Sequence, residues 1–137
     1  MFALHENVRK EYVALLSQGT PPRGSGEGTI SLPLSSDFLN RPMQKVDYEH
    51  GKEAITEYRL FTSPRGGRVG ASLFPLTGRT HQLRMHCAHK DGLGMPILGV
   101  PLYGNEQADR MYLHAHRLEF IHPVTKQKVE IVSPVPF

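Results

Sequence analysis

Hydrophobic and polar positions in this chain fall mostly into short segments with a period of two, the spacing of a strand with two unlike faces. In "KEYVALL", Tyr12, Ala14 and Leu16 lie on one side and Val13 and Leu15 on the other. A strand apolar on both faces predicts a covered, central place in a sheet. "EAITEYRLFT" (residues 53–62) alternates, "SPRGG" supplies a turn and "RVGASLFPL" returns, so a hairpin is expected across residues 54–76. "MYLHAHRLEFIHP" and "QKVEIVSP" predict a second hairpin around "HPVTKQ". "ISLPL" predicts a short strand after a loop at Gly19–Thr29. Pro42 makes "SSDFLNRPMQ" irregular, and Phe2, Ala3 and Leu4 read as the end of a helix. Helical spacing is clearest in Thr80–Lys90, where Leu83, His86 and Cys87 share a face and Thr80 is placed to cap. The expected fold class is α+β: a mainly antiparallel β-sheet with a flanking helix, in a single domain over residues 1–137.

Composition narrows the picture. The 13 Gly and 11 Pro among 137 residues argue against a helix-only architecture. A formal charge of +3 with 8 His is compatible with a nucleic-acid partner but weak as a signal. One cysteine excludes an internal disulfide and suits a reducing compartment. The N-terminal apolar run is too short for a signal peptide, and no run approaches the ~18 apolar residues of a membrane span. A cytoplasmic protein with no membrane contact is the expectation.

The chemistry concentrates in "LTGRTHQLRMHCAH", which holds Arg79, His81, Arg84, His86, Cys87 and His89. A metal site is disfavoured by spacing. His81 and His86 are five apart, and neighbouring His86 and Cys87 point apart on a helix, whereas a helical zinc pair wants i and i+4. A lone Cys on an apolar helix face is more often a small buried hydrophobe than a nucleophile. "TGRT" ahead of a helix start suits an anion, with Arg84 one turn further on. Taken alone, that anion reading and an ordinary surface charge are evenly matched.

The stretch belongs to an ordered series: "TGRTHQLRMH", "GMPILGVPLYG", "LHAHRLEFIHP" and "SPVP". With "VRKEYVALLSQG" and "DFLNRPMQKVDYEHGKEAITEY" upstream, the series resembles the C-terminal half of RluA-type pseudouridine synthases over nearly the whole chain. That resemblance implies the pseudouridine synthase catalytic-domain fold. It implies an enzyme that isomerises uridine in RNA by breaking the N-glycosidic bond and rejoining the base through C5. It implies neither cofactor nor metal. The "NRP" and "QKV" wording is similar to the branch that acts on ribosomal and transfer RNA. Val100, where the family usually has Asp, puts one loop hydrogen bond in doubt.

The resemblance assigns roles. Tyr12 matches the active-site Tyr that stacks on the uracil or takes the C5 proton. Arg84 matches the basic partner of the nucleophilic Asp, and its charge keeps a carboxylate ionised. Arg79, His81, Gln82, Lys10, Arg41 and Lys45 are candidate RNA contacts, with bracing of the loop the alternative for Arg79 and structural support that for His81 and Gln82, and Ile97 and Leu113 are candidate pocket walls. The family's Asp sits in an H-R-L-D motif, and none of Asp37, Asp47, Asp91 and Asp109 has that context. The chain is therefore expected to be the C-terminal portion of a synthase catalytic domain, inactive alone, and prone to self-association through an open sheet edge. A non-catalytic RNA-binding module, a metal-dependent hydrolase and a pure scaffold are the rival readings.

Overall fold

In the computed structural model, residues 8–17, 26–37, 43–63, 68–99, 108 and 110–137 are described. Among them are the strands β1 (Val8–Leu15), β2 (Glu27–Ser31), β3 (Leu34–Ser36), β4 (Gln44–Val46), β5 (Ile55–Thr62), β6 (Val69–Pro75), β7 (Leu113–Ile121) and β8 (Lys128–Val132). One helix, α1 (Gln82–Ala88), lies between β6 and β7 in sequence. Six strands form an antiparallel sheet in the order β2-β5-β6-β1-β7-β8, and β3 and β4 form a small separate hairpin. β1 takes the central place that its two apolar faces predict, between β6 and β7.

The two faces of β1 bury different things. Ala14, with Leu16 just beyond the strand, joins Val69, Ala71, Leu73, Leu83, Cys87 and Ile97 in the main core under α1. Leu15 faces the other way, into a smaller cluster with Leu98, Tyr112 and Phe137. Further along that second face, charge takes over. Arg117 pairs with Glu130 and Glu119, Lys128 with Glu119, and Arg59 with Glu27. Such exposed pairs stabilise little individually. Their presence marks this part of the sheet as solvated.

Both expected hairpins form, as β5–β6 and β7–β8. Three local expectations need correcting. "ISLPL" is not one strand: Pro33 separates β2 from β3, and the flanking amides go elsewhere, Leu32 to the Ala54 carbonyl and Leu34 to that of Lys52. Glu27–Thr29, assigned to a loop, are strand residues paired with Glu57–Arg59. Thr80 does not cap α1. The cap position is His81 in a left-handed conformation (φ 54°, ψ 20°) with no side-chain cap bond, and the helix has only seven residues. Arg41, Arg65 and Phe2–Leu4 lie outside the described residues.

α1 ends against a glycine that has no substitute. A Cβ on Gly92 would lie 1.9 Å from the His86 carbonyl oxygen, a backbone atom that cannot step aside. The amides of Gly92 and Leu93 close the helix end on the carbonyls of His89 and His86. Gly92→Ala is expected to lower the unfolding free energy by about 2 kcal/mol or more, read from denaturant melts of the chain. A loss within 0.5 kcal/mol, the ~0.5 kcal/mol scatter of surface substitutions, would contradict this packing.

Candidate functional site

The sheet face under α1 carries the candidate chemistry. Across it, one row of cross-strand partners runs Gly28, Tyr58, Leu73, Tyr12, Ala115. Tyr12 is half-buried and flanks the main core, as do Tyr58 and Leu113. Its register with β7 shifts between Glu11 and Tyr12, a bulge that leaves His116 without an opposite number. Tyr12 and Lys10 line one groove with Ala115, Leu118, Phe120 and Ile131. The floor is mostly apolar, and Lys10 brings a cation to its edge. Two predicted site residues are thus brought together by the period-two spacing of β1.

Arg84 lies on α1, whose Leu83 and Cys87 pack into the core that Tyr12 flanks. It is half-buried, and no carboxylate pairs with it among the described residues. Because Arg84 is only half-buried, the ~3–5 kcal/mol scale of a fully buried lone charge does not apply. His81 sits beside it. Burial, and then the Arg84 charge, hold the His81 imidazole below its usual 6.5. Lys45 is exposed on β4, which rests against α1.

The rest of the motif turns inward. Gln82 is 3% exposed and all four of its hydrogen-bonding positions are used. Its Nε2 donates to the Ile55 carbonyl and to Thr56 Oγ1, both at 2.9 Å. Its Oε1 accepts from Thr77 Oγ1 at 2.7 Å and from the Arg79 amide at 3.1 Å. Thr77 Oγ1 in turn accepts from the Ile55 amide at 2.9 Å. His86, fully buried, touches Thr56 Oγ1 through Nδ1 at 2.9 Å and the Leu32 carbonyl through Nε2 at 3.0 Å. Arg79 donates from Nε to the Glu53 carbonyl at 2.7 Å.

These contacts bear on several expectations. Gln82 has no free polar group for RNA. Arg79 braces the loop, and its amide serves Gln82 instead of an anion. The cradle suggested by "TGRT" is filled by the protein's own amide side chain, and a seven-residue helix adds little dipole. Ile97, expected at a pocket wall, is fully buried beneath the face. Burial pushes the Cys87 thiol up to about 12, which removes it as a nucleophile near neutral pH. No cluster of three or more metal-ligating side chains occurs among the described residues. Thr56 is the site residue that sequence reasoning missed, since an isolated Thr in a strand carries no motif, while Thr77, the first residue of "TGRT", turns its hydroxyl to Gln82 instead of an anion.

The described aspartates are committed locally. Asp47 accepts from Ser35 Oγ and from the Glu49 and His50 amides, and the His50 amide foremost holds its carboxyl below the usual range. Asp91 accepts from the Tyr48 hydroxyl. No described helix is long and apolar enough to cross a membrane.

A central antiparallel sheet, a tyrosine on its inner strand and an arginine on the helix above it define a class. The family described as RNA pseudouridylate synthase matches residues 1–89, and the chain belongs to it. Particular relatives are close. The chain is 40% identical over 115 residues to the dual-specificity RNA pseudouridine synthase RluA of Pasteurella multocida (strain Pm70), covering 81% of this chain and 51% of that one. It is 39% identical over 133 residues to the enzyme of the same name from Escherichia coli (strain K12), covering 94% and 58%. The solved structure of human RNA pseudouridylate synthase domain containing 1 superposes with a TM-score of 0.75 at 31% identity, covering 96% and 56%. The chain thus spans about half the length of the curated relatives it matches.

Two imidazoles, the buried His86 and the half-buried His81, set a pH dependence. Burial foremost lowers the folded pKa of His86, as it does that of His81. The unfolded chain therefore takes up protons first, near the ordinary 6.5, and stability falls as pH drops below that value. Asp47 and Glu119 are lowered carboxylates, so their contribution is lost only at more acidic pH, below their ordinary 3.8 and 4.5. Thermal midpoints are expected to be level above pH 7 and to fall between pH 6.5 and 5. A midpoint unchanged over that window would contradict a neutral, buried His86.

Proposed function

We propose that this chain forms the Tyr12- and Arg84-bearing part of an RNA pseudouridine synthase acting on uridines in ribosomal RNA, transfer RNA or both. Arg84 carries the reading: a half-buried cation on a helix over the Tyr12 face, with no carboxylate beside it among the described residues. A nucleophilic aspartate from another segment fits that place. Arg84 holds the carboxylate ionised for attack. The flipped uracil enters the Tyr12 groove, where the ring stacks on the base or its phenol takes the C5 proton. Lys10 and Lys45 supply charge for the RNA backbone, a sequence-independent and salt-sensitive contribution.

The test extends the gene upstream and follows tritium release from C5-labelled uridine in unmodified ribosomal and transfer RNA. The extended protein is expected to release tritium and this chain alone to release none. In the extended protein, Arg84→Ala is expected to slow release about 100-fold, the scale of losing one charged transition-state contact. An inactive extended protein, or an Arg84→Ala variant at full rate, refutes the reading.

A non-catalytic RNA-binding module is the second reading, for which Lys10 at the groove and the exposed Lys45 suit an RNA backbone without any reaction. It predicts RNA binding at low salt without release from either protein. In both readings the outer strands β2 and β8 are sheet edges, and β8 exposes Ile131 and Val132. The isolated chain is expected to self-associate in sedimentation runs, and a monomer throughout the micromolar range would rule that out.

A further inference from the structure

The hydrogen bonds around Gln82 and His86 run in one direction. The Leu32 carbonyl can only accept, so His86 Nε2, 3.0 Å away, carries the proton. A neutral imidazole has a single N–H, so Nδ1 accepts and the Thr56 hydroxyl donates to it at 2.9 Å. Thr56 Oγ1 then accepts from Gln82 Nε2 at 2.9 Å. The other Nε2 hydrogen goes to the Ile55 carbonyl. Flipping the Gln82 amide would set its oxygen against that carbonyl, so the orientation is fixed. Oε1 accepts from the Arg79 amide and the Thr77 hydroxyl, and Thr77 Oγ1 accepts from the Ile55 amide. Each donor has an acceptor in this one arrangement, and no buried side-chain polar atom is left over among the described residues.

Two members of this relay, Gln82 and His86, bracket Arg84 on α1, and the third anchor, Arg79, precedes the left-handed His81. A non-glycine residue in that conformation costs of order 1 kcal/mol and persists where its surroundings over-determine it. The relay provides that constraint from both sides. We infer that the relay Thr77–Gln82–Thr56–His86 is a positioning device: it clamps the His81 turn and α1 to β5 in one protonation state and thereby sets the presentation of Arg84. Thr56, Gln82 and His86 are positioning residues that act through Arg84 and do not touch the base. The inference rests on the synthase reading for its catalytic consequence, while the relay itself is testable in this chain alone.

Long-range ¹H–¹⁵N spectra of the unmutated chain at pH 7 are expected to show His86 as the neutral Nε2–H tautomer. The Nδ1–H tautomer or an imidazolium would overturn the relay. In the extended synthase, Thr56→Val removes the hydroxyl at nearly constant volume, and Thr56→Ser keeps it. Thr56→Val is expected to reduce kcat about tenfold with KM within twofold, a loss of about 1.4 kcal/mol, and Thr56→Ser to restore it. An unchanged kcat in Thr56→Val with active parent enzyme overturns the positioning role and leaves the synthase reading standing. A silent parent enzyme refutes the synthase reading, and the Arg84 Nε–H order parameter in this chain then decides. It is expected to fall in Thr56→Val and recover in Thr56→Ser, and an unchanged value overturns the inference.

Discussion

A buried amide and a buried imidazole cannot be left without partners, and this fold is arranged around satisfying two of them. An unsatisfied buried donor or acceptor costs about 1–3 kcal/mol. Gln82 and His86 present six such positions between them, and every one is met by β5, by Leu32 or by the turn before α1. The register of β5 is thereby tied to the helix, because Ile55 and Thr56 both serve the network. The short helix needs this. Seven residues are too few to hold a helix by propensity, and its start lacks a side-chain cap. The bonds of Gln82 instead tie the first residue of the helix to β5 and to the turn before it, on either side of the left-handed His81.

The strands were legible where the period-two signal was backed by burial. β1 announces its central place by being apolar on both faces, and the hairpins β5–β6 and β7–β8 by alternation around turn residues. The errors have a common origin in long-range pairing. Glu27, Gly28 and Thr29 look like loop by composition, yet they are a strand because Glu57, Tyr58 and Arg59 offer a partner edge. Pro33 splits a continuous apolar run because the amides on either side find Ala54 and Lys52. Neither partner is visible from the local sequence.

The site divides the same way. Residue types in the motif suggest a chemistry but do not say which side chains face inward. Helical spacing contains part of that answer: Gln82, Leu83, His86 and Cys87 form the buried stripe at i, i+1, i+4 and i+5, which leaves Arg84 off the stripe. The resemblance offers Gln82 as an RNA contact or as structural support, and the motif alone does not separate the two. Gln82 is the hub of the interior network, and its polarity is explained by the carbonyl and hydroxyls that surround it. Thr56 becomes meaningful only through residues 26 and 30 positions away. Sequence reading by motif does not reach such partners.

The two faces of the sheet also differ in character. One carries the ladder of Arg117, Glu119, Lys128 and Glu130, whose charges already neutralise one another and stay in water. The other carries the apolar groove over Tyr12, and its far wall depends on two motifs nearly twenty residues apart. His114 and His116 of "LHAH" both reach the Ser133 carbonyl of "SPVP", at 3.1 and 2.7 Å, and the Ser133 amide returns a bond to the His116 carbonyl. A carbonyl that accepts from two imidazoles fixes both rings as donors on those nitrogens. The bulge beside Tyr12 gives β7 the extra residue, His116, that makes this double contact possible. The irregularity in the ladder and the histidines of the second motif therefore serve one end: they pin Ser133, just after β8, beside His116 at the side of the groove that Tyr12 lines.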